Sequence, residues 1–201
     1  MRRVFVAEKP SLGRAIAQGL GKCTPGDGCI YAGDDVVTWC FGHILEQCSP
    51  EEKYKAWRIE DLPILPTQWK MKVKKGAEKQ YKVIRALVKD ADEIVNAGDP
   101  DREGQLLVDE VLNELGVLRT KPIRRILLNA LDEKSVAEAL RNLRPNEEFV
   151  GLRNSALARS RADWLIGMNL SRIYTIRARA AGYPNTVSVG RDTDDGARCS
   201  A

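Results

Sequence analysis

"DEIVNAGDPDREGQLLVDEVLNELG", residues 92–116, decides the fold. "DEIVNAG" has the β-branched content of a short strand, "DPDREG" is a turn, and "QLLVDEVLNELG" follows with helical spacing up to Gly116. The same order occurs at the N-terminus. "RRVFVAEKPSLGRAIAQGLG" reads as a buried strand (Val4, Phe5, Val6), a turn at Glu8-Lys9-Pro10, and a helix with Ser11 as the expected N-cap. It recurs in "RRILLNALDEKSVAEALRNLRP", where Asp132 is the expected N-cap and Pro145 lies just past the helix. Strand-turn-helix units in series predict an α/β fold with a parallel-type central sheet flanked by helices. In such sheets ligand sites gather at the C-terminal ends of the strands.

Between the first two units, "CIYAGDDVVTWCFGHILEQ" reads as a hairpin turning near Gly33-Asp34-Asp35. "RIEDLPILPTQW" reads as an extended connection, and "GAEKQYKVIRALVKDA" as a helix with Tyr81, Ile84, Leu87 and Val88 on one face. After Pro145 the chain becomes strand-poor and Arg-rich, as expected of helices in a second domain. The expected division is 1–147, 148–191 and an aberrant tail at 192–201.

The 201 residues are 43% apolar, enough for a real core. Net charge is +4, but from Arg141 to Arg191 nine Arg and no Lys face only Glu147, Glu148 and Asp163, an excess of +6. Arg presents a planar fork of donors suited to phosphate oxygens, so this segment either contacts a polyanion or is a solvated basic face. The five cysteines form no C-x-x-C pair, which disfavours a zinc ribbon or a disulfide framework. No stretch approaches the roughly 20 apolar residues of a membrane span, and the expectation is a soluble intracellular chain.

The turn places Asp99, Asp101 and Glu103 within five positions. One reading is structural: the two Asp cap the helix, Glu103 favours its positive end, and Arg102 neutralises a neighbour. The other is oxygen coordination of Mg²⁺. Glu8 beside Lys9 at a second strand end favours the latter, since such a pair at the same sheet edge suits a charged substrate. A Walker loop is disfavoured: "IAQGLGKC" has Ile16 and Cys23 where that loop needs Gly and Ser or Thr.

"VFVAEKPSLGRAIA", "VVTWCFGHILEQ", "AGDPDREGQLLVDEVL", "SALARSRADWLIGMNLSRIYTI" and "AGYPNTVSVGR" together closely resemble bacterial type IA DNA topoisomerases of the topoisomerase III kind, from residue 1 to about Arg191. The lone Glu after the first strand, followed by D-P-D-R-E-G, resembles the Toprim fold. The resemblance implies a Toprim domain followed by part of a helical DNA-binding domain. It implies Mg²⁺ held by Glu8, Asp99, Asp101 and Glu103, with Glu8 and Lys9 catalytic. It also implies a single-stranded DNA groove lined by Trp57, Trp164, Arg172, Arg179, Ser188, Val189, Gly190 and Arg191. Core packing competes as a role for Trp164, and His43 is expected to satisfy a backbone group beside its strand.

The reaction so implied is Mg²⁺-dependent cleavage, strand passage and religation of single-stranded or negatively supercoiled DNA, by a cytoplasmic bacterial monomer, nucleoid- or plasmid-associated and with possible repair or replication partners. The family's nucleophilic tyrosine lies in a "TYPRSD"-like context that the chain lacks, so Tyr174 is read as helix packing or groove. The family continues after Arg191 with something like "VQTPVL", whereas here "DTDDGARCSA" sets three Asp behind the basic segment, as a frameshift or truncation would. Two alternatives are a non-catalytic, Mg²⁺-dependent module for single-stranded DNA and a Toprim nuclease or primase-like enzyme.

Overall fold

A computed structural model of the chain describes residues 1–190; Arg191 and the 192–201 tail lie outside the described residues. In chain order the elements are β1 (Arg3–Ala7), α1 (Pro10–Leu20), β2 (Cys23–Pro25), β3 (Cys29–Ala32), β4 (Asp35–Trp39), β5 (Leu45–Gln47), β6 (Met71–Val73), α2 (Glu78–Lys89), β7 (Glu93–Ala97), α3 (Arg102–Glu114), β8 (Ile123–Arg125), α4 (Glu133–Arg141), β9 (Arg144–Pro145) and α5 (Val150–Ala180). They divide into two compact units, Met1–Gln47 with Met71–Ala156, and Cys48–Lys70 with the chain from Leu157 onward.

In the first unit seven strands form one sheet in the order β2-β3-β4-β1-β7-β8-β9. The four central strands, β4, β1, β7 and β8, are parallel, and antiparallel strands close both edges. β1 is apolar from Val4 to Ala7 because both of its faces are covered there. Alternate side chains point to opposite faces. Val4 and Val6 join a core built with α2 and α3, through Ile84, Leu87, Val88, Leu107, Val108, Val111 and Leu112. Phe5 and Ala7 join a second core built with α1 and α4, through Leu12, Ile16, Ala17 and Val136. The result is a helix-sheet-helix sandwich, and at about 0.8 kcal/mol per buried CH₂ these two cores supply its main stabilisation.

Several local signals fold as expected. The hairpin of β3 and β4 turns through Gly33 at φ +63°, and the Asp132 carboxylate caps α4 by accepting from Ser135 N at 3.0 Å. One expectation is corrected. α1 has Lys9, not Ser11, at its N-cap, because Pro10 occupies the first helical position. There its missing N–H costs nothing, and its fixed φ suits the turn.

The second unit is built on α5 from Leu157 onward. Asn169 holds the 48–70 segment to this helix: its Oδ1 accepts from Ile64 N at 2.6 Å, while Nδ2 donates to Ile64 O at 3.1 Å. Arg172 Nη1 donates to Tyr54 O at 2.6 Å. The returning chain is clipped on by two hydroxyls, with Val187 N donating to Thr175 Oγ1 at 2.9 Å and Val189 N to Ser171 Oγ at 2.8 Å. Among the described residues no helix is long and apolar enough to cross a membrane.

Candidate functional site

The parallel register brings the C-terminal ends of the central strands to one edge: Ala7 pairs with both Trp39 and Ala97, and Asn96 pairs with Arg125. Glu8 and Lys9 leave β1 there, Cys40 to His43 leave β4, and Gly98 to Asp101 leave β7. α1 packs in one core and α3 in the other, so the connections from the adjacent strands β1 and β7 depart to opposite faces. Such a divergence opens a crevice at the strand ends, the usual place for a ligand in an open α/β sheet.

The backbone ties the two acidic strand ends together. Glu8 N donates to Ala97 O at 3.3 Å, and Asp99 N donates to Glu8 Oε2 at 3.1 Å. Lys9 Nζ donates to Asp99 Oδ2 at 2.8 Å. This bond, reinforced by the charges of Asp99, Glu8 and Asp101, pulls the Lys9 pKa up from its ordinary value against the opposing effect of burial. Asp101 is the N-cap of α3: its Oδ1 accepts from Gly104 N at 2.7 Å, and its own N–H donates to Asp99 O at 2.8 Å. Glu103 follows in the first helical turn, with Arg102 Nε 3.7 Å from its Oε1.

Glycine is required in "GDPDREG" for close approach. A Cβ on Gly104 would lie 2.4 Å from Asp99 N and 2.5 Å from Asp99 O, and one on Gly98 would lie 2.0 Å from Gly104 O. No side chain fits at either position, so α3 can begin directly against the strand end.

Beneath the turn lies a cation that sequence reasoning missed. Arg125, at the end of β8, is 1% exposed. Its Nη1 donates to Gly98 O at 2.8 Å, Ile126 O at 3.1 Å and Asn96 O at 3.2 Å, and its Nη2 donates to Asp99 O at 2.6 Å. Burial pushes this guanidinium down to about 10, opposed by Asp109, Asp101, Asp99 and Glu8, so it stays charged at neutral pH. Behind it, the buried Asp109 carboxylate accepts from Asn96 Nδ2 and Gln105 Nε2 at 2.9 Å and from Asn146 Nδ2 at 3.0 Å. In the sequence it is one of two adjacent arginines, Arg124 and Arg125, and nothing local marks it as the buried one.

His43 departs from expectation: its neighbour is Glu110, with Nδ1 3.9 Å from Oε2, rather than a backbone group. That distance is too long for a hydrogen bond, and burial together with Lys74 pushes the imidazole below its ordinary value against the opposing pull of Glu103 and Glu8.

Among the described residues no three or more His, Cys, Asp or Glu side chains are gathered at metal-ligand spacing. The donor chemistry nonetheless fits a hard divalent cation. Glu8, Asp99 and Asp101 present carboxylates only, at one edge, with one oxygen of each engaged by the protein.

In the second unit, Arg172 is buried at 5% exposure, and its guanidinium carbon lies 5.2 Å from the centroid of the Trp57 ring. Arg179, exposed, lies 5.8 Å from the same centroid. Trp164 packs edge-on against Trp69, with centroids 5.4 Å apart at 73°, and Arg161 sits 5.0 Å over Trp69. Ser188 and Gly190 are exposed and Val189 is clipped to Ser171. Neither Trp69 nor Arg161 stood out in the sequence.

Two expectations follow. Gly104→Ala should lose about 1–3 kcal/mol in urea denaturation by overpacking, whereas Gly151→Ala, where a Cβ meets nothing within 4 Å, should not destabilise. An NMR titration of the single histidine should place it below its ordinary 6.5, and Lys74→Met should raise it by removing a nearby positive charge. A histidine at or above 6.5 would contradict the placement of its loop.

The Toprim domain family matches residues 3–131. DNA topoisomerase 3 of Vibrio cholerae serotype O1 is 52% identical over 198 residues, which cover 95% of this chain and 31% of that protein. DNA topoisomerase 3 of Haemophilus influenzae is 52% identical over 196 residues, 94% of this chain and 30% of that protein. At greater distance, DNA topoisomerase 3 of Staphylococcus epidermidis is 35% identical over 196 residues, 95% of this chain and 27% of that protein. The chain thus spans under a third of the length of these relatives. A match that takes in β1 through β8, with Glu8, Lys9 and the whole acidic turn inside it, makes the chain a member of the Toprim domain family.

Proposed function

We propose that the chain provides the metal- and phosphate-holding half of a type IA DNA topoisomerase site of the topoisomerase III kind, acting on single-stranded or negatively supercoiled DNA. The observation that carries this reading is the convergence of Glu8, Lys9, Asp99 and Asp101 at the β1–β7 strand ends, tied by the 3.1 Å and 2.8 Å bonds to Asp99. Similarity to the DNA topoisomerase 3 proteins along 95% of the chain supports it.

Glu8, Asp99 and Asp101, with Glu103 in support, would hold Mg²⁺, which would supply positive charge beside a phosphodiester. Lys9 turns from Asp99 to a non-bridging phosphate oxygen and stabilises the charge that develops there. Glu8 moves a proton to or from the 3′ oxygen as that oxygen leaves or returns. The bond that breaks is P–O3′, and the bond that forms joins phosphorus to a tyrosine phenol, so the 5′ phosphate stays on the protein until the step reverses.

On this reading that phenol is none of the chain's five tyrosines. Tyr31 pairs with Val36, which pairs with Val4 at the start of β1, about 13 Å along the strand from Glu8. Tyr81 packs against the core, and none of the five stands in the family nucleophile's "TYPRSD"-like context. In the intact protein the nucleophile comes from elsewhere, and strand passage follows cleavage to give relaxation or decatenation.

The second unit supplies the DNA groove. Trp57 offers a stacking face for an unpaired base, worth about 1–3 kcal/mol per base. Arg172, already committed to Tyr54 O, orients that ring; the exposed Arg179, beside the same ring, follows the DNA backbone, with Trp164, Ser188, Val189 and Gly190 completing the lining. The working place of such a chain is the bacterial cytoplasm.

The test is to incubate the chain with a 3′-labelled single-stranded oligonucleotide and Mg²⁺, follow binding by native gel shift and resolve the products on a denaturing gel. Binding without nicking or adduct is expected, alongside relaxation of negatively supercoiled DNA by the longer protein. A covalent 5′ adduct on this chain would overturn the placement of the nucleophile. Nicking without an adduct would favour a nuclease in which metal-bound water attacks.

A further inference from the structure

We propose that Arg125 is the positioning residue of the acidic turn: its guanidinium fork, locked inside the sheet, fixes the Gly98–Asp99 backbone and so sets where the carboxylates of Glu8, Asp99 and Asp101 stand. The argument is geometric. Nη1 and Nη2 reach consecutive carbonyls, Gly98 O at 2.8 Å and Asp99 O at 2.6 Å, while the same nitrogen Nη1 reaches Asn96 O and Ile126 O. One rigid planar group therefore spans the end of β7, the turn and the end of β8. Asp99 O also accepts from Asp101 N, and Asp99 N donates to Glu8 Oε2, so a shift of the Asp99 peptide moves all three carboxylates.

A lysine in place of Arg125 keeps the charge and loses the fork. A glutamine keeps an amide donor and loses the charge. If Arg125 acted only as a counter-charge, its neutralisation would strengthen the attraction of the carboxylates for a cation, because a repelling positive charge is gone. If it acts by holding the backbone, both substitutions weaken cation binding. That opposition of sign separates positioning from electrostatics.

The behaviour of the metal-free turn stands independently of the proposed function, while the Mg²⁺ measurement rests on that reading. The experiment compares the wild-type chain with Arg125→Lys and Arg125→Gln. Far-UV circular dichroism checks the fold, amide exchange is followed at Asp99, Asp101 and Gly104 without metal, and Mg²⁺ is titrated by calorimetry. Exchange at these three amides is expected to accelerate roughly tenfold or more in both variants, with amides of the α1 helix unchanged. Mg²⁺ affinity is expected to fall about 10–100-fold in both, the size usual for a partner that orients ligands.

If Arg125→Lys does not fold, the neutral Arg125→Gln, which buries no charge, carries the test. Unchanged turn exchange in a folded variant, or Mg²⁺ binding in Arg125→Gln as tight as or tighter than wild type, would overturn the proposal. Absence of Mg²⁺ binding in the wild type would instead sink the metal reading, leaving amide exchange to decide the role of Arg125.

Discussion

Carboxylates gathered at one sheet edge repel one another, and the surrounding structure is organised to bear that repulsion. Two unit charges 4 Å apart interact with about 4 kcal/mol at the effective dielectric of a protein surface, comparable to a large share of a domain's net stability. Three sources of positive potential oppose it. Lys9 holds Asp99 from the outer side at 2.8 Å, the N-terminal end of α3 points its free N–H groups at Asp101, and Arg125 lies beneath. Each acts on a different carboxylate or from a different direction, which is why the cluster persists with part of its oxygen capacity uncommitted. Lys9 is the exposed member of the three, with 48% of its side chain open, and so the one able to exchange its carboxylate partner for a phosphate.

Topology explains why the charges meet at all. Glu8 and Asp99 are 91 residues apart, and only the pairing of β1 with β7 makes them neighbours. Because the helices after these strands cover opposite faces, a crevice opens between the two strand ends. Gly98 and Gly104 then let α3 start against the strand with no intervening side chain, carrying Asp101 into the cap position. Backbone close approach, charge compensation and strand order thus converge on a few residues, while the two apolar cores provide the rigid frame.

What was legible in the sequence was local. The apolar run of β1, the turn and helix of "GDPDREGQLLVDEVL", the hairpin at Gly33 and the Asp132 cap all follow from periodicity and turn chemistry within a few residues. The Ser11 cap failed locally too, since a proline at the first helical position shifted the helix start by two residues. The partners of Arg125, Asp109 and His43 were hidden because they are set by contacts across the sheet, and an arginine in "RRILL" carries no mark of which strand end it will underlie. The same holds for 48–70: its proline-rich run shows no periodicity, and its attachment to α5 depends on Asn169 and Arg172 more than 100 residues away. The carboxylates and the capping of α3 by Asp101 were legible, but the engagement of Asp99 by Lys9 was not.

The central claim, that the edge formed by Glu8 and the Asp99–Asp101 turn is where a divalent cation and a phosphate meet, is tested most directly by paramagnetic mapping. Mn²⁺ is titrated at substoichiometric levels into the ¹⁵N-labelled chain. The account predicts that amide signals of Glu8, Lys9, Asp99, Asp101 and Gly104 broaden first and together, and that excess Mg²⁺ restores them. Broadening that starts at other acidic positions, such as Glu51 or Glu147 and Glu148, and leaves the turn sharp would contradict it.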